Sequence, residues 1–365
     1  MGRRQFLTTA SSVTGVLVSG CTSSSGTDRT STTTTKNGGS LEGTLTVATY
    51  GNFVDAPSSS PGPWIKEEFE KRYPGVTLKW EAPKNAFNHY VQRRQQGVEI
   101  DADVYIGLKV PDLVRIDRKL SKPLFDPVAT DRLSNVDHIK SEYSFAPDDH
   151  VLPAFTGYQS FVYNGYEVDR PKTLDALTEP HYQGKFTVQN AQTDNTGLYF
   201  LLWTVKEKGE DGYLDYWRKL LDNDIRILGS WEEVYTAFTS GETDIITSFA
   251  TDQVYAKRAD QDLKKHQVAL PGGHGYTFVS GMGKFATSDQ SALATAFMDF
   301  MLTPTAQGKL AELNVSFPIT DHASVPAVFD EYAKKPANPL RYTYDELHEN
   351  LDTWQEEWAQ MVATR

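Results

Sequence analysis

Four aromatic residues and one carboxylate lie at the ends of predicted β-strands: Tyr50, Trp231, Phe249, Asp252 and Tyr255. An aromatic face attracts a cation, and the attraction strengthens where water is excluded. A flat, positively charged ring would therefore stack on these side chains and pair with the carboxylate of Asp252. Each aromatic residue taken alone is as consistent with a hydrophobic core as with a binding surface. Their recurrence at successive strand ends favours a site for a cationic ring.

A second candidate feature is the turn Asn195-Thr196-Gly197, which opens a predicted helix. The unpaired N–H groups at a helix N-terminus attract phosphate and carboxylate groups. Asp194, just before the turn, would repel such an anion unless its side chain caps the helix. We favour the cap, and the sequence leaves a role of the turn in ligand binding open.

Motifs of common catalytic sites are missing from the sequence. It contains no G-x-S-x-G turn, no G-x-x-x-x-G-K-[ST] phosphate loop and no H-E-x-x-H zinc helix. His348-Glu349 begins like the zinc helix, but Asp352 stands where its second His would be. The eight His are scattered, and one Cys cannot build a thiolate zinc site. We therefore predict no enzymatic activity, no cofactor and no metal site.

The N-terminal segment has the pattern of an export signal. Arg3-Arg4 followed by Phe6-Leu7 resembles a twin-arginine signal, and residues 17–21 read Leu-Val-Ser-Gly-Cys, which resembles a lipobox. Residues 1–21 are thus predicted to be a lipoprotein signal with Cys21 as the lipid anchor. An ordinary secretory signal with an incidental Cys is the alternative. The Ser/Thr/Gly-rich stretch 22–43 has little to bury and is predicted to be a disordered tether.

Net charge and hydropathy restrict the classes of partner that the chain is expected to bind. The chain carries a formal net charge of −12, and loss of Arg3 and Arg4 with the signal makes the mature chain near −14. An acidic chain repels nucleic acid, and it suits a cationic ligand or a saline medium. No stretch after the signal is apolar for long enough to cross a bilayer. We predict a monomer, exported folded and held on the outer face of the cytoplasmic membrane by its lipid.

The elements that position the candidate residues alternate between strands and helices. Residues 45–119 show a strand–helix pattern repeated three times, and a second such series begins near Thr173. This alternation predicts an α/β fold with parallel strands covered by helices. Extended segments at 151–163 and 276–285 join the two series, so we expect two lobes that are connected by crossing strands with a hinge.

The predicted lobes place the candidate site between them. Residues 44–154 together with 280–365 are assigned to lobe 1, and residues 155–279 to lobe 2. Ligands of open parallel sheets bind beyond the carboxyl ends of the strands. In a two-lobed chain that position is the cleft between the lobes.

Six stretches, taken in order, resemble the thiamine-binding proteins of bacterial ABC importers: LTVATYGNF, DADVYIGL, TGYQSFVYN, TDNTGLYFLLW, GSWEEVYTAFTSGETDIITSFATDQVY and NVSFPI. The similarity extends from about Leu45 to Trp358. It implies a type II solute-binding fold, with each lobe a mixed sheet flanked by helices. It also implies thiamine or a thiamine phosphate as ligand, permease and ATPase subunits as partners, and no catalysis.

The resemblance also implies roles for individual residues. Tyr50, Trp231 and Tyr255 match family residues that contact the ligand, and Phe249 replaces a family Tyr. The turn 195–197 matches the loop on the phosphate side of the family's site.

Two departures from the family pattern affect the ligand. Lys109 stands where the family has an Asp, so a cation replaces an anion unless it points away or meets a phosphate. Val315 stands where the family has a Trp, which thins one wall of the pocket. A phosphorylated thiamine, or a different ring, therefore becomes a stronger candidate.

Other functions stay open. One is a polyamine-binding or ferric-ion-binding protein, although the Tyr-Tyr pair expected of an iron site is missing from the sequence. Another is a surface enzyme that acts on thiamine with Asp or Glu as acid and base.

Overall fold

The computed structural model describes residues 41–56 and 58–364. The predicted signal with Cys21, and all but the end of the predicted tether, lie outside those residues. The described part contains eleven strands: β1 Glu42–Ala48, β2 Gly75–Glu81, β3 Val104–Lys109, β4 Phe125–Asp126, β5 Leu152–Tyr163, β6 Phe186–Gln189, β7 Arg226–Leu228, β8 Ile245–Phe249, β9 Gln267–Ala269, β10 His274–Phe285 and β11 Asn338–Leu340.

The same residues form twelve α-helices: α1 Gly51–Val54, α2 Gly62–Arg72, α3 Phe87–Gln95, α4 Val110–Lys119, α5 Asn195–Lys208, α6 Tyr213–Asp222, α7 Trp231–Ser240, α8 Asp252–Arg258, α9 Ser291–Met301, α10 Pro304–Leu313, α11 Ala327–Tyr332 and α12 Tyr344–Ala363. The predicted α/β class is confirmed. No helix among the described residues is long and apolar enough to cross a membrane.

The sheet joins two parallel parts through antiparallel strands. Its order is β2-β1-β3-β10-β5-β8-β6-β7. Strand β1 pairs in parallel with β2 and β3, and β6 pairs in parallel with β7 and β8. Between these parts, β10 is antiparallel to β3 and β5, and β5 is antiparallel to β8.

Strands β5 and β10 each run through two hydrophobic cores. The first core is centred on Leu45, Phe69 and Phe297, and it includes Phe155 of β5. The second core is centred on Trp203, Trp217 and Trp358, and it includes Phe161 of β5 and Tyr276 of β10. These two strands are the crossing segments predicted at 151–163 and 276–285.

The two ends of the predicted lobe 1 behave differently from the prediction. Strand β1 already begins at Glu42, within the range assigned to the tether. Helix α12 contributes Leu351, Trp354 and Trp358 to the second core, whereas we grouped residues 280–365 with lobe 1. Packing of an amphipathic helix depends on which apolar surface the chain brings to it, and its own pattern does not specify that surface.

Local signals in the sequence explain where several helices start and stop. The Ser230 side chain accepts a hydrogen bond from the Glu233 N–H at the start of α7, and Gly241 ends that helix at φ +83°. Both residue types are those that capping preferences favour at the start and end of a helix. The spacing of Thr287 and Gln290 in the sequence predicts a capping box, and this prediction is wrong. Helix α9 begins at Ser291, and its N-cap Gln290 makes no side-chain cap bond.

Candidate functional site

Lys109, the last residue of β3, places its ammonium among three aromatic rings. Its Nζ lies 5.9 Å from the centre of the Tyr50 ring and 5.3 Å from the centres of the Phe155 and Phe278 rings. It also donates a hydrogen bond to Ser280 Oγ. Aromatic faces attract cations, so the rings offset part of the free-energy cost of burying this ammonium. Burial lowers the pKa of Lys109 to about 8, although the nearby Asp112 carboxylate opposes the shift.

Ring contacts continue from Phe278 towards α7. The Phe278 and Phe249 ring centres are 5.5 Å apart, and Phe249 lies 6.1 Å from Trp231. We call the set Tyr50, Phe155, Phe278, Phe249 and Trp231 the aromatic surface. The structure thus links three residues of the predicted site, Tyr50, Phe249 and Trp231, through Lys109 and a ring that sequence reasoning missed.

The aromatic surface bridges the two cores. Tyr50 packs against the first core, whereas Phe278 packs against the second. Phe278 lies directly over Gly157 of β5, where a Cβ atom would come within 2.3 Å of its ring. Glycine at 157 therefore leaves room for the tip of this ring against β5.

Asn314 joins two further residues of the predicted site. Its side-chain Oδ1 accepts a hydrogen bond of 3.0 Å from the Tyr50 hydroxyl, and its backbone oxygen accepts one of 3.4 Å from the Tyr255 hydroxyl. Burial raises the pKa of Tyr50 and raises that of Tyr255 to about 12, so both hydroxyls stay protonated donors at neutral pH. Val315, at the position of the family Trp, is buried at φ +48°, a conformation that a β-branched residue rarely adopts.

Asp252 has contacts other than those expected from the sequence. The Tyr235 hydroxyl donates a hydrogen bond of 2.8 Å to its Oδ1, and the His266 Nδ1 lies 2.9 Å from its Oδ2. Asp252 is only 4% exposed, and Tyr235 stacks on Trp231 with ring centres 4.7 Å apart. Asp252 therefore fixes Tyr235 against the Trp231 ring. Both carboxylate oxygens of Asp252 contact protein groups.

The turn Asn195-Thr196-Gly197 opens α5, and Asp194 caps it as predicted. Asp194 Oδ1 accepts a hydrogen bond of 2.7 Å from the Thr196 N–H, and its Oδ2 accepts one of 2.9 Å from the Trp231 N–H. One carboxylate thus occupies the N-termini of both α5 and α7 and fixes Trp231 relative to the turn. A Cβ at Gly197 would meet Gln189 O at 2.4 Å, so glycine allows α5 to pack against β6.

Two buried polar atoms next to the aromatic surface were also missed. Gln159 Oε1 and the Tyr199 hydroxyl are buried and make no hydrogen bond to any described residue. Gln159 Nε2 donates to Thr196 O, and Tyr199 stacks on Phe278 with ring centres 5.0 Å apart. Unpaired buried polar groups are costly, and a ligand is one source of the missing partner. Gln159 lies within the predicted crossing segment 151–163 and Tyr199 two residues after the turn 195–197, and no other sequence signal marked them.

Gly107→Ala is expected to displace Tyr50 from the aromatic surface. A Cβ at Gly107 would lie 2.7 Å from the Tyr50 ring, and the residue sits at φ +100°. We expect a loss of stability of roughly 1–3 kcal/mol and weaker ligand binding. Gly97→Ala is the matched control, since Gly97 also has a positive φ of +67° but no described atom within 4 Å of its Cβ. Denaturant unfolding and ligand titration of both variants test this, and equal affinities would contradict it.

Stability should rise as the pH is raised from about 8 towards 9.5, in part through Lys109. The unfolded chain keeps a lysine protonated up to its ordinary pKa of about 10.4, whereas the folded state lowers the pKa of Lys109 to about 8. Between these values the unfolded state binds more protons, so the free energy of unfolding increases with pH. Urea unfolding across this range measures the slope. Lys109→Met should flatten it, and an unchanged slope would contradict the assignment.

The fold is that of two-lobed proteins that bind a solute between their lobes. Comparison with known proteins supports this class. Residues 113–350 match the model of the family described as bacterial extracellular solute-binding protein, and the chain belongs to that family. The chain is 30% identical over 322 residues to the thiamine-binding periplasmic protein of Escherichia coli (strain K12), covering 87% of this chain and 93% of that protein.

Solved structures agree with the fold class. A structure titled periplasmic thiamin binding protein superimposes with a TM-score of 0.73 at 28% identity, covering 90% of this chain and 98% of that one. An apo ferric ion-binding protein A from Pasteurella haemolytica reaches a TM-score of 0.69 at 16% identity, covering 87% and 97%, which establishes a shared fold only. The predicted type II solute-binding fold is confirmed.

Proposed function

We propose that this chain is the solute-binding subunit of an ABC importer and that it captures thiamine or a thiamine phosphate between its lobes. The observation that carries the proposal is the aromatic surface, three of whose rings lie at cation–π distance from a buried side-chain nitrogen, Lys109 Nζ. A thiazolium ring is a flat permanent cation and suits the same rings. The relatives named as thiamine-binding proteins support this choice of ligand.

The lobe boundaries proposed at 154/155 and 279/280 fall within β5 and β10, which run through both cores. Closure about these strands would bring Tyr50 towards Phe249 and Trp231 around a ligand. The closed form would then dock on permease and ATPase subunits and release thiamine unchanged, without catalysis.

Titration with a panel of ligands tests the proposal. Tryptophan fluorescence and calorimetry would follow binding of thiamine, thiamine monophosphate, thiamine diphosphate, spermidine and ferric ion to the purified protein. We expect saturable 1:1 binding of at least one thiamine form. Binding of spermidine or ferric ion alone would establish the alternative solute class. Recovery of cleaved thiamine after incubation would establish an enzyme instead, and recovery of intact ligand supports a carrier.

Anchoring through Cys21 is the second part of the proposal. Lipidation would place the chain on the outer face of the cytoplasmic membrane, with residues 22–43 as a tether. We expect the mature protein to fractionate with membranes and Cys21→Ser to abolish that association. Membrane association that persists in Cys21→Ser, or a wild-type protein that is released without lipid, would contradict the anchor.

A further inference from the structure

A cluster of two His and one Asp shares no residue with the aromatic surface. His138, Asp321 and His322 each offer one ligand atom, and these atoms all lie within 4.8 Å of one another. His138 Nδ1 is 2.9 Å from Asp321 Oδ1, and the two imidazole ring centres are 3.9 Å apart. The sequence predicted no metal site, because 183 residues separate His138 from Asp321.

The backbone holds the two segments of this cluster in register. An isolated antiparallel bridge pairs Ile139 with Thr320, the residues next to His138 and Asp321. The Asp321 N–H donates a hydrogen bond of 3.0 Å to His138 O, and the Lys140 N–H donates one of 3.0 Å to Ile319 O. These bonds fix the backbone that carries His138 and Asp321, and a metal site requires ligands held in place by their supporting structure.

Hydrogen bonding also selects the tautomer of a neutral His322 ring. Its Nε2 lies 3.1 Å from Leu302 O, and a carbonyl oxygen only accepts hydrogen bonds. The proton must therefore sit on Nε2, which leaves the lone pair of Nδ1 for another partner. Histidine ligands of metals commonly donate their second ring N–H to a backbone carbonyl in this way.

We propose that His138, Asp321 and His322 bind a first-row divalent transition-metal ion, for which Zn²⁺ is the probe. Two imidazoles and one carboxylate are ligands that Zn²⁺ prefers, and such sites leave a fourth position for water. The metal would take the place of the hydrogen between His138 Nδ1 and Asp321 Oδ1, with the imidazole proton moving to Nε2. It would then cross-link residues 136–138 to residues 319–322 on the surface of the protein.

Zinc titration of the untagged, metal-free full chain tests the site at about pH 8, where imidazole is neutral. Competition with a chromophoric zinc chelator gives the affinity. His138→Ala, His322→Ala and Asp321→Asn are each expected to weaken zinc binding by about 100-fold or more, because loss of an outer-shell partner of a ligand already costs about 10–100-fold. His181→Ala is the matched control, because His181 also lies beside a carboxylate, 3.4 Å from Glu179, and belongs to no three-ligand group among the described residues.

Thermal unfolding supplies an independent readout. Zinc should raise the melting temperature of the wild type and of His181→Ala, because a ligand that binds only the folded state stabilises it. It should not raise that of His138→Ala, whose metal-free melting temperature and thiamine binding serve as checks of folding. Equal zinc affinity in the wild type and the three cluster variants, or no zinc binding by the wild type, would overturn the proposal. Neither result depends on the identity of the transported solute.

Discussion

Trp231→Ala is expected to lower the affinity for thiamine by about thirtyfold or more. Truncation of a central aromatic anchor in a binding site typically costs about 2 kcal/mol or more, which corresponds to that factor. Trp231 is half-buried at the start of α7, stacked on Tyr235 and next to Phe249. The loss should appear mainly in binding, since the helix keeps its Ser230 cap and its backbone contact to Asp194.

Two controls separate lost stacking from lost stability. Trp231→Phe retains a ring and should recover much of the affinity, although it loses the hydrogen bond from Trp231 Nε1 to Ser248 Oγ. Trp64→Ala removes another partly buried Trp, which stacks on Phe300 beside the first core. It should reduce stability and leave the affinity for thiamine unchanged. Calorimetry on the three variants decides the matter, and near-wild-type binding by Trp231→Ala would remove this residue from the site.

Lys109→Met is expected to reverse the order of preference among thiamine forms. At 5 Å and an effective dielectric constant near 20, two unit charges interact by about 3 kcal/mol, so an ammonium among the rings should disfavour the thiazolium cation and favour a phosphate. We therefore expect the wild type to bind a thiamine phosphate more tightly than thiamine. The variant should bind thiamine about 10–100-fold more tightly than the wild type does and should lose affinity for the phosphates.

The pH dependence of the wild type provides a second test of the same group. As the pH rises through about 8, Lys109 loses its charge, so the affinity for thiamine should increase and that for thiamine phosphate should decrease. Lys284→Met serves as the charge control, because it also removes a lysine charge. Lys284, on β10, forms an ion pair of 2.6 Å with Asp126 and is not part of the aromatic surface. If Lys109→Met and Lys284→Met had the same ligand preferences as the wild type, Lys109 would have no part in selectivity.

Several features of the site follow from local sequence and were predictable. Helix α7 begins and ends where Ser230 and Gly241 place it, because caps act through neighbouring backbone groups. Asp194 as the cap of α5 follows in the same way. The crossing strands were visible as extended segments, and the rings at strand ends marked the aromatic surface in part. Helix α6 was missed, although it spans Tyr213–Asp222.

Contacts between segments that are distant in the chain could not be predicted from the sequence. Asp252 was expected to meet a ligand, but tertiary packing brings Tyr235 and His266 to its two oxygens. Phe278 joined the site only because the crossing strand β10 carries it over Gly157. The partner of a carboxylate or an aromatic ring depends on which distant residue the fold places beside it. Local patterns in the sequence do not specify that residue.

The amino-acid sequence by itself determined the alternation of strands and helices, their caps, and the set of aromatic residues available to a cation, because periodicity and capping act within a few residues of the chain. The tertiary structure alone decided that the Lys109 ammonium lies among Tyr50, Phe155 and Phe278. It likewise brought His138 to Asp321 and His322. Such encounters depend on how the sheet brings remote segments together, and that is a property of the whole fold.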